Sequence, residues 1–105
     1  MMVEGYFLPN SPTALTATMV LGNRVDLAWT DASTNETGFR IERCAGAGCS
    51  DFAEITTVGA NATSHADSTL AFGTDYRYRI RAYNGVGNSP YSNTADGNTN
   101  VPVDP

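Results

Sequence analysis

Three groups of side chains in this 105-residue chain have the types and spacing for chemistry: Cys44 with Cys49, the single His65, and a row of arginines at Arg77, Arg79 and Arg81. The spacing Cys44-x4-Cys49 permits a disulfide, half of a metal site, or two unrelated thiols. A tetrahedral zinc site needs two more ligands, and only one histidine exists, so the disulfide is the preferred reading and two reduced thiols are its rival. Closing so short a loop adds about 2 kcal/mol in the chain-entropy model and points to an oxidising compartment. A redox pair is disfavoured, because thioredoxin-like activity relies on Cys-x-x-Cys at a helix start. Imidazole as a side-chain type can serve as a general base, which makes His65 a candidate, but catalysis needs a nucleophile and an orienting acid beside it, and none is visible in the pattern. It reads as a structural histidine.

The charged residues invite two further readings. Arg40, Glu42, Glu54 and the arginine row fall on one outward sheet face, where cross-strand ion pairs contribute roughly 0.2 to 1 kcal/mol each. The functional rival is a flat platform made of Arg40, Arg77, Arg79, Arg81 and Tyr83, suited to a sugar acid or a protein carboxylate. Asp31-x-Ser33-x-Asn35, with Glu42 eleven residues after Asp31, echoes a calcium-binding EF loop. Glu36 stands where that loop requires glycine, and the flanks read as strands, so a polar loop capped by Asx hydrogen bonds accounts for the same residues. No carboxylate pair in a cleft, nucleophile with a base, or cofactor loop emerges, which predicts a non-enzyme without cofactor or metal.

The elements that position these groups are strands. Thr74 to Tyr83 alternates bulky and charged residues without interruption, so Tyr76, Tyr78, Ile80 and Ala82 enter a core while Arg77, Arg79 and Arg81 face water. Arg24 to Thr30 alternates as strictly, with Val25, Leu27 and Trp29 inward, and Phe39 to Arg43 places Phe39 and Ile41 inward. Ala14 to Met19, an irregular edge at Phe52 to Val58, Thr63 to Ala66, and a last strand at Tyr91 to Ala95 complete seven, with turns at Gly22-Asn23 and Asn84 to Asn88. Seven short strands with a turn about every ten residues predict an all-β, antiparallel Greek-key sandwich of immunoglobulin-like type.

Composition agrees. High Gly, Thr, Asn and Ser with scarce Leu and no lysine argue against long amphipathic helices. The net charge of -5 disfavours nucleic acid and anionic membrane surfaces, both of which need a basic field. No apolar run reaches the roughly 20 residues needed to cross a bilayer, and Met1-Met2-Val3-Glu4 does not open a signal peptide, so an exported parent would carry its signal upstream. Proline and small polar residues at both ends predict a linker or expression remnant at 1–11, a folded unit at 12–97 and a linker at 98–105.

Several of these residues form a pattern known elsewhere. Trp29, Leu70 six residues before Tyr76, then Tyr78, Ile80, Ala82 and Asn84, and Gly87-Asn88-Ser89-Pro90-Tyr91-Ser92, resemble the fibronectin type III domain. The stretch from Trp29 to Phe39, with Trp-Thr-Asp followed by Asn-Glu-Thr-Gly-Phe, is similar to its bacterial branch. The resemblance implies structural roles for Trp29, Leu70, Tyr76, Tyr78 and Ile80, and a Tyr76 hydroxyl that bonds back to backbone a few residues upstream. It implies a non-catalytic spacer and orienting module of a secreted bacterial multidomain protein, such as a polysaccharide-degrading enzyme or a protease. The partners would be neighbouring domains of the same polypeptide, and the module would be a monomer. The alternative is a carbohydrate- or protein-binding adhesion module using its loops or the arginine face, with Tyr83, Tyr91, Tyr6 and Phe7 as the free aromatics.

Overall fold

The computed structural model describes residues 7–20 and 23–99, and the Gly22 part of one expected turn, Tyr6 and the outer parts of both expected linkers lie outside them. Seven strands follow in order: β1 (Thr13–Val20), β2 (Arg24–Thr30), β3 (Gly38–Ala45), β4 (Ala53–Gly59), β5 (Ser64–Asp67), β6 (Asp75–Tyr83) and β7 (Ala95–Asn98). They form two antiparallel sheets, ordered β1-β2-β5 and β4-β3-β6-β7, and the chain changes sheet after β2, β4 and β5. This is the immunoglobulin-like Greek-key sandwich. No helix occurs among the described residues.

Alternation builds the core. Val25, Leu27 and Trp29 of β2 face Phe39 and Ile41 of β3 and Tyr76, Tyr78, Ile80 and Ala82 of β6, and all are buried. The Trp29 and Phe39 rings meet tilted, with centroids 5.6 Å apart. Each large apolar side chain enclosed this way contributes roughly 1.5 to 3 kcal/mol.

Two polar devices fix the sheets to one another. At the corner between β5 and β6 the Tyr76 hydroxyl accepts the Ala71 N–H at 3.0 Å, and Leu70 beside it is buried. Asp67 ends β5 in a buried position, where its carboxylate accepts from the Tyr78 hydroxyl at 2.9 Å and from Arg43 at 2.8 Å. Both donors belong to the other sheet, so the three side chains tie the sandwich across its interior. Burial and the Asp67 hydrogen bond push the Tyr78 phenol far above its ordinary range.

The structure corrects two expectations. Regular β7 starts at Ala95, not Tyr91, because side chains of the preceding residues take the β6 N–H groups that strand carbonyls would accept. From Ser89 to Asn93 side chains replace the ladder: the Ser89 and Ser92 hydroxyls accept the Ala82 and Ile80 N–H groups at 2.9 and 3.0 Å, and their own amides bond back to Ala82 and Ile80 carbonyls. Asn93 then mimics a peptide unit, accepting from Leu15 N–H at 2.9 Å and donating to Leu15 C=O at 3.0 Å. Second, the side chains of Arg77, Arg79 and Arg81 point outward as the period requires, yet they are only 25, 28 and 26 % exposed. Their stems lie along the sheet and their heads are held.

Tyr76→Phe removes the hydroxyl that satisfies Ala71 N–H while keeping the ring. Leaving that donor unpaired is expected to cost about 1 to 3 kcal/mol in urea unfolding, with an unchanged m value.

Candidate functional site

The outer face of β3 and β6 gathers most of the charge chemistry. Register pairs Arg40 with Arg81, Glu42 with Arg79 and Cys44 with Arg77, so one carboxylate stands among several guanidinium groups. Glu42 is buried for that reason: it accepts from Arg79 Nε at 2.8 Å and from the Tyr91 hydroxyl at 2.8 Å, and it lies 3.7 Å from Arg81 Nη2. Aromatic rings interleave the cations. The Arg79 guanidinium lies 4.3 Å from the Phe52 centroid and 3.7 Å from that of Tyr91, and Arg81 lies 4.5 Å from Tyr91. Arg40 covers Tyr83 at 4.2 Å and bonds Asn88 at 2.9 Å, with Glu54 at 3.4 Å. Arg77 is anchored by Asp96, the Cys49 carbonyl and Thr94 at 2.9, 2.9 and 3.0 Å.

The five residues of the expected binding face therefore do share one surface, but its four arginines are held there, by three carboxylates and, for Arg40, Arg79 and Arg81, by aromatic rings. Tyr91 is not free; it is a rung. Burial and its bond to Glu42 raise its phenol above the ordinary range. Sequence pattern puts Phe52 at the start of an irregular edge and Tyr91 among the free aromatics, and nothing local joins either to the arginines.

The cysteines form a disulfide, Cys44–Cys49, with Cα atoms 6.0 Å apart across the β3–β4 hairpin. Asp51 lies within 4.8 Å of both sulfurs, but a disulfide offers no thiolate to a metal. His65 pairs with Leu27 in the β2–β5 ladder. In the β2–β3 loop Asp31 Oδ1 accepts the Ser33 N–H at 3.1 Å, as an Asx turn does. Glu42, the last member of the EF-like spacing, is absorbed by the arginine face and is no part of this loop.

Both ends of the described stretch are bonded to the body. The Phe7 carbonyl accepts from Asn35 Nδ2 at 3.0 Å and from Asn84 Nδ2 at 2.9 Å, Asn10 bonds Ala32 and Ser33, and Pro9 is buried. Asn84 is fixed in turn, because its Oδ1 accepts the Val86 N–H at 2.8 Å. At the other end Thr99 is fully buried: its hydroxyl accepts from Thr74 N–H at 3.0 Å and donates to the Ala71 carbonyl, and its own backbone bonds Thr74 and Gly73. The Asn-Gly pair at 84–85 reads in sequence only as a turn; nothing local tells that its amide reaches Phe7.

A family model for the fibronectin type III domain matches residues 10–98. The chain belongs to that family. Among solved structures the domain is similar to an Fn3-like protein from Clostridium thermocellum, at 27 % identity and TM-score 0.72 over 93 % of this chain and 99 % of that one. Titin domains match at 24 % identity and TM-score 0.76 over 89 % of this chain, and the C. elegans twitchin kinase region at 23 % and 0.75 over 90 %. At that identity the last two show the fold alone. This chain spans 32 % of the titin chain and 17 % of the twitchin chain, so fibronectin type III domains occur there as modules of longer polypeptides. No curated protein matches. The family is one of non-catalytic modules in general.

Glu42→Gln leaves Arg79 and Arg81 without their shared counter-charge, and is expected to destabilise the domain by about 1.5 to 3 kcal/mol, the range of hydrogen bonds to charged groups. The raised phenols of Tyr78 and Tyr91 set the alkaline limb. Because the folded state disfavours the tyrosinate, their contribution is complete below the unfolded value of about 10 and is lost as pH rises through the higher folded values. Ultraviolet titration of the native protein should therefore ionise fewer than its five tyrosines at about pH 11, whereas the denatured chain ionises all of them.

Proposed function

We propose that this domain is a non-catalytic spacer and orienting module of a larger extracellular bacterial protein, and that the class of parent is a secreted polysaccharide-degrading enzyme or protease. The observation that carries the reading is the pair of clamps. The Asn35–Asn84 clamp on Phe7 and the Thr99 clamp on the β5–β6 corner lie at opposite ends of β6, whose nine residues span about 30 Å. A chain entering and leaving through fixed points has a fixed direction, which is what orients neighbours. The body is 12–97 and the connections are 1–11 and 98–105, with the inner residues of each connection held. The disulfide supports an oxidising, extracellular setting, and the likeness to the Clostridium protein supports a bacterial one. The partners are the neighbouring domains of the same polypeptide, and the module itself is a monomer.

A second reading, binding of a polysaccharide or a protein carboxylate, is favoured by one feature. Arg40 and Tyr83 form the edge of the ladder, stacked and preorganised, with the Arg40 side chain 33 % exposed.

Backbone relaxation tests the first reading. Amides of Phe7, Leu8, Asn10 and Thr99 should show order parameters near those of the strands, about 0.85. Asn84→Asp keeps the acceptor for Val86 but cannot donate to the Phe7 or Asn35 carbonyls, so it should lower the order of residues 7 to 10 and of the neighbouring Asn35 loop while leaving the Thr99 end unchanged. Wild-type values below about 0.6 at both ends would leave a flexible tether instead of an orienting module. Titration against a panel of neutral and acidic glycans separates the second reading: micromolar binding that disappears on Arg79→Ala or Tyr83→Ala would replace the spacer role by a binding role.

A further inference from the structure

The turn after β6 contains a dipeptide whose chemistry neither reading uses. We propose that Asn84-Gly85 is a self-modifying site: the Gly85 nitrogen closes on the Asn84 side-chain amide, ammonia leaves, and the resulting aspartate or isoaspartate loosens the hold on Phe7.

Asn84 is the only asparagine of the chain that precedes glycine. Its side-chain oxygen accepts the Val86 N–H at 2.8 Å and the Gly87 N–H at 3.3 Å. Attack on the amide carbon drives negative charge onto that same oxygen, and donors already aimed there stabilise it as an oxyanion hole does. Gly85 is exposed, and its N–H takes no part in the hydrogen bonds of the turn, which run from Asn84 N–H to the Gly87 carbonyl and from Val86 and Gly87 to Asn84. The nucleophile is therefore open to water, which takes its proton. Nothing in the fold requires glycine at this place: a Cβ at Gly85 would meet no atom within 4 Å, and its φ lies outside the left-handed region. Gly87 differs, because Leu8 Cδ2 would stand 3.1 Å from its Cβ. The missing side chain at position 85 leaves the approach to the Asn84 amide clear.

The step balances with water as its co-reactant and no change of oxidation state. The bond from Gly85 N to Asn84 Cγ forms, the bond from Cγ to Nδ2 breaks, and Nδ2 departs as ammonia with the proton that Gly85 N gives up through water. One water then opens the cyclic imide at either carbonyl, giving aspartate or, with the backbone rerouted through the side chain, isoaspartate. Nδ2 is the atom that donates to the Phe7 carbonyl at 2.9 Å and to the Asn35 carbonyl at 3.2 Å. A carboxylate in its place has no hydrogen to give and sets negative charge against both carbonyl oxygens, so the entry clamp keeps only the Asn35 side chain on Phe7. That consequence rests on the orienting role, whereas the modification itself does not.

The test ages the whole chain in mildly alkaline buffer, native and urea-unfolded in parallel, and reads each asparagine by peptide mass mapping with an isoaspartate assay. Conversion of the native protein confined to Asn84 is expected, and Gly85→Ala, which keeps the hydrogen bonds of the turn, should lose it. In the converted protein the order parameters of residues 7 to 10 should fall from about 0.85 to below about 0.6, with Thr99 unchanged. Native Asn84 that is still intact when the unfolded chain is fully converted overturns the site, as does equal conversion of Gly85→Ala. Conversion that leaves residues 7 to 10 ordered overturns the coupling to the entry. Disorder of those residues before any conversion refutes the orienting role instead, and the mass map still decides the modification.

Discussion

The period of two along β6 divides nine consecutive side chains between a dry interior and a charged exterior, and the other contacts of the domain are arranged around that division. Tyr76, Tyr78, Ile80 and Ala82 fill the core from one face, while Arg77, Arg79, Arg81 and Tyr83 build the outer ladder from the other. A shift of one residue would bury three guanidinium groups and expose two tyrosines and an isoleucine. No nearby arrangement satisfies both faces, so register is set by burial and not by turn geometry alone.

The outer face shows why arginine, and not lysine, stands at these positions. Arg79 lies against the Phe52 and Tyr91 rings while its Nε donates to Glu42, which a planar guanidinium accomplishes and a compact ammonium does not. Stacking removes water from both sides of the group and strengthens its bond to the buried carboxylate. The cost falls on function: four arginines held by Glu42, Glu54, Asp96 and aromatic rings leave little free positive charge to attract a ligand. Cross-strand ion pairs, the bland reading of this face, are thus correct in kind, but they are more buried and more aromatic than a solvated ladder.

Alternation made most of the fold legible, because β2, β3 and β6 carry their pattern in consecutive residues: Val25, Leu27 and Trp29; Phe39 and Ile41; Tyr76 to Tyr83. What stayed hidden rests on contacts between residues far apart in sequence or on side chains that imitate backbone. Ser89, Ser92 and Asn93 look like strand or turn residues until their hydroxyls and amide are seen pairing with Ala82, Ile80 and Leu15. Tyr91 looks free until its ring is seen under Arg79 and its hydroxyl on Glu42. Glu36 reads as a flaw in a calcium loop, and its burial against Asn61, 25 positions away, is invisible to any local window.

The same long-range bonding underlies the proposed orienting role. The Ala71 peptide is held on both sides, its N–H by the Tyr76 hydroxyl and its C=O by the Thr99 hydroxyl. Tyr76 belongs to β6, and β6 leads directly to Asn84, whose amide holds Phe7. A path of strand and hydrogen bonds therefore joins Phe7 to Thr99, crossing the β5–β6 corner at Ala71. Each hydrogen bond on that path contributes only about 1 kcal/mol to stability. Their effect lies in geometry: they convert the stiffness of a central strand, paired on both edges by β3 and β7, into a fixed relation between the two ends.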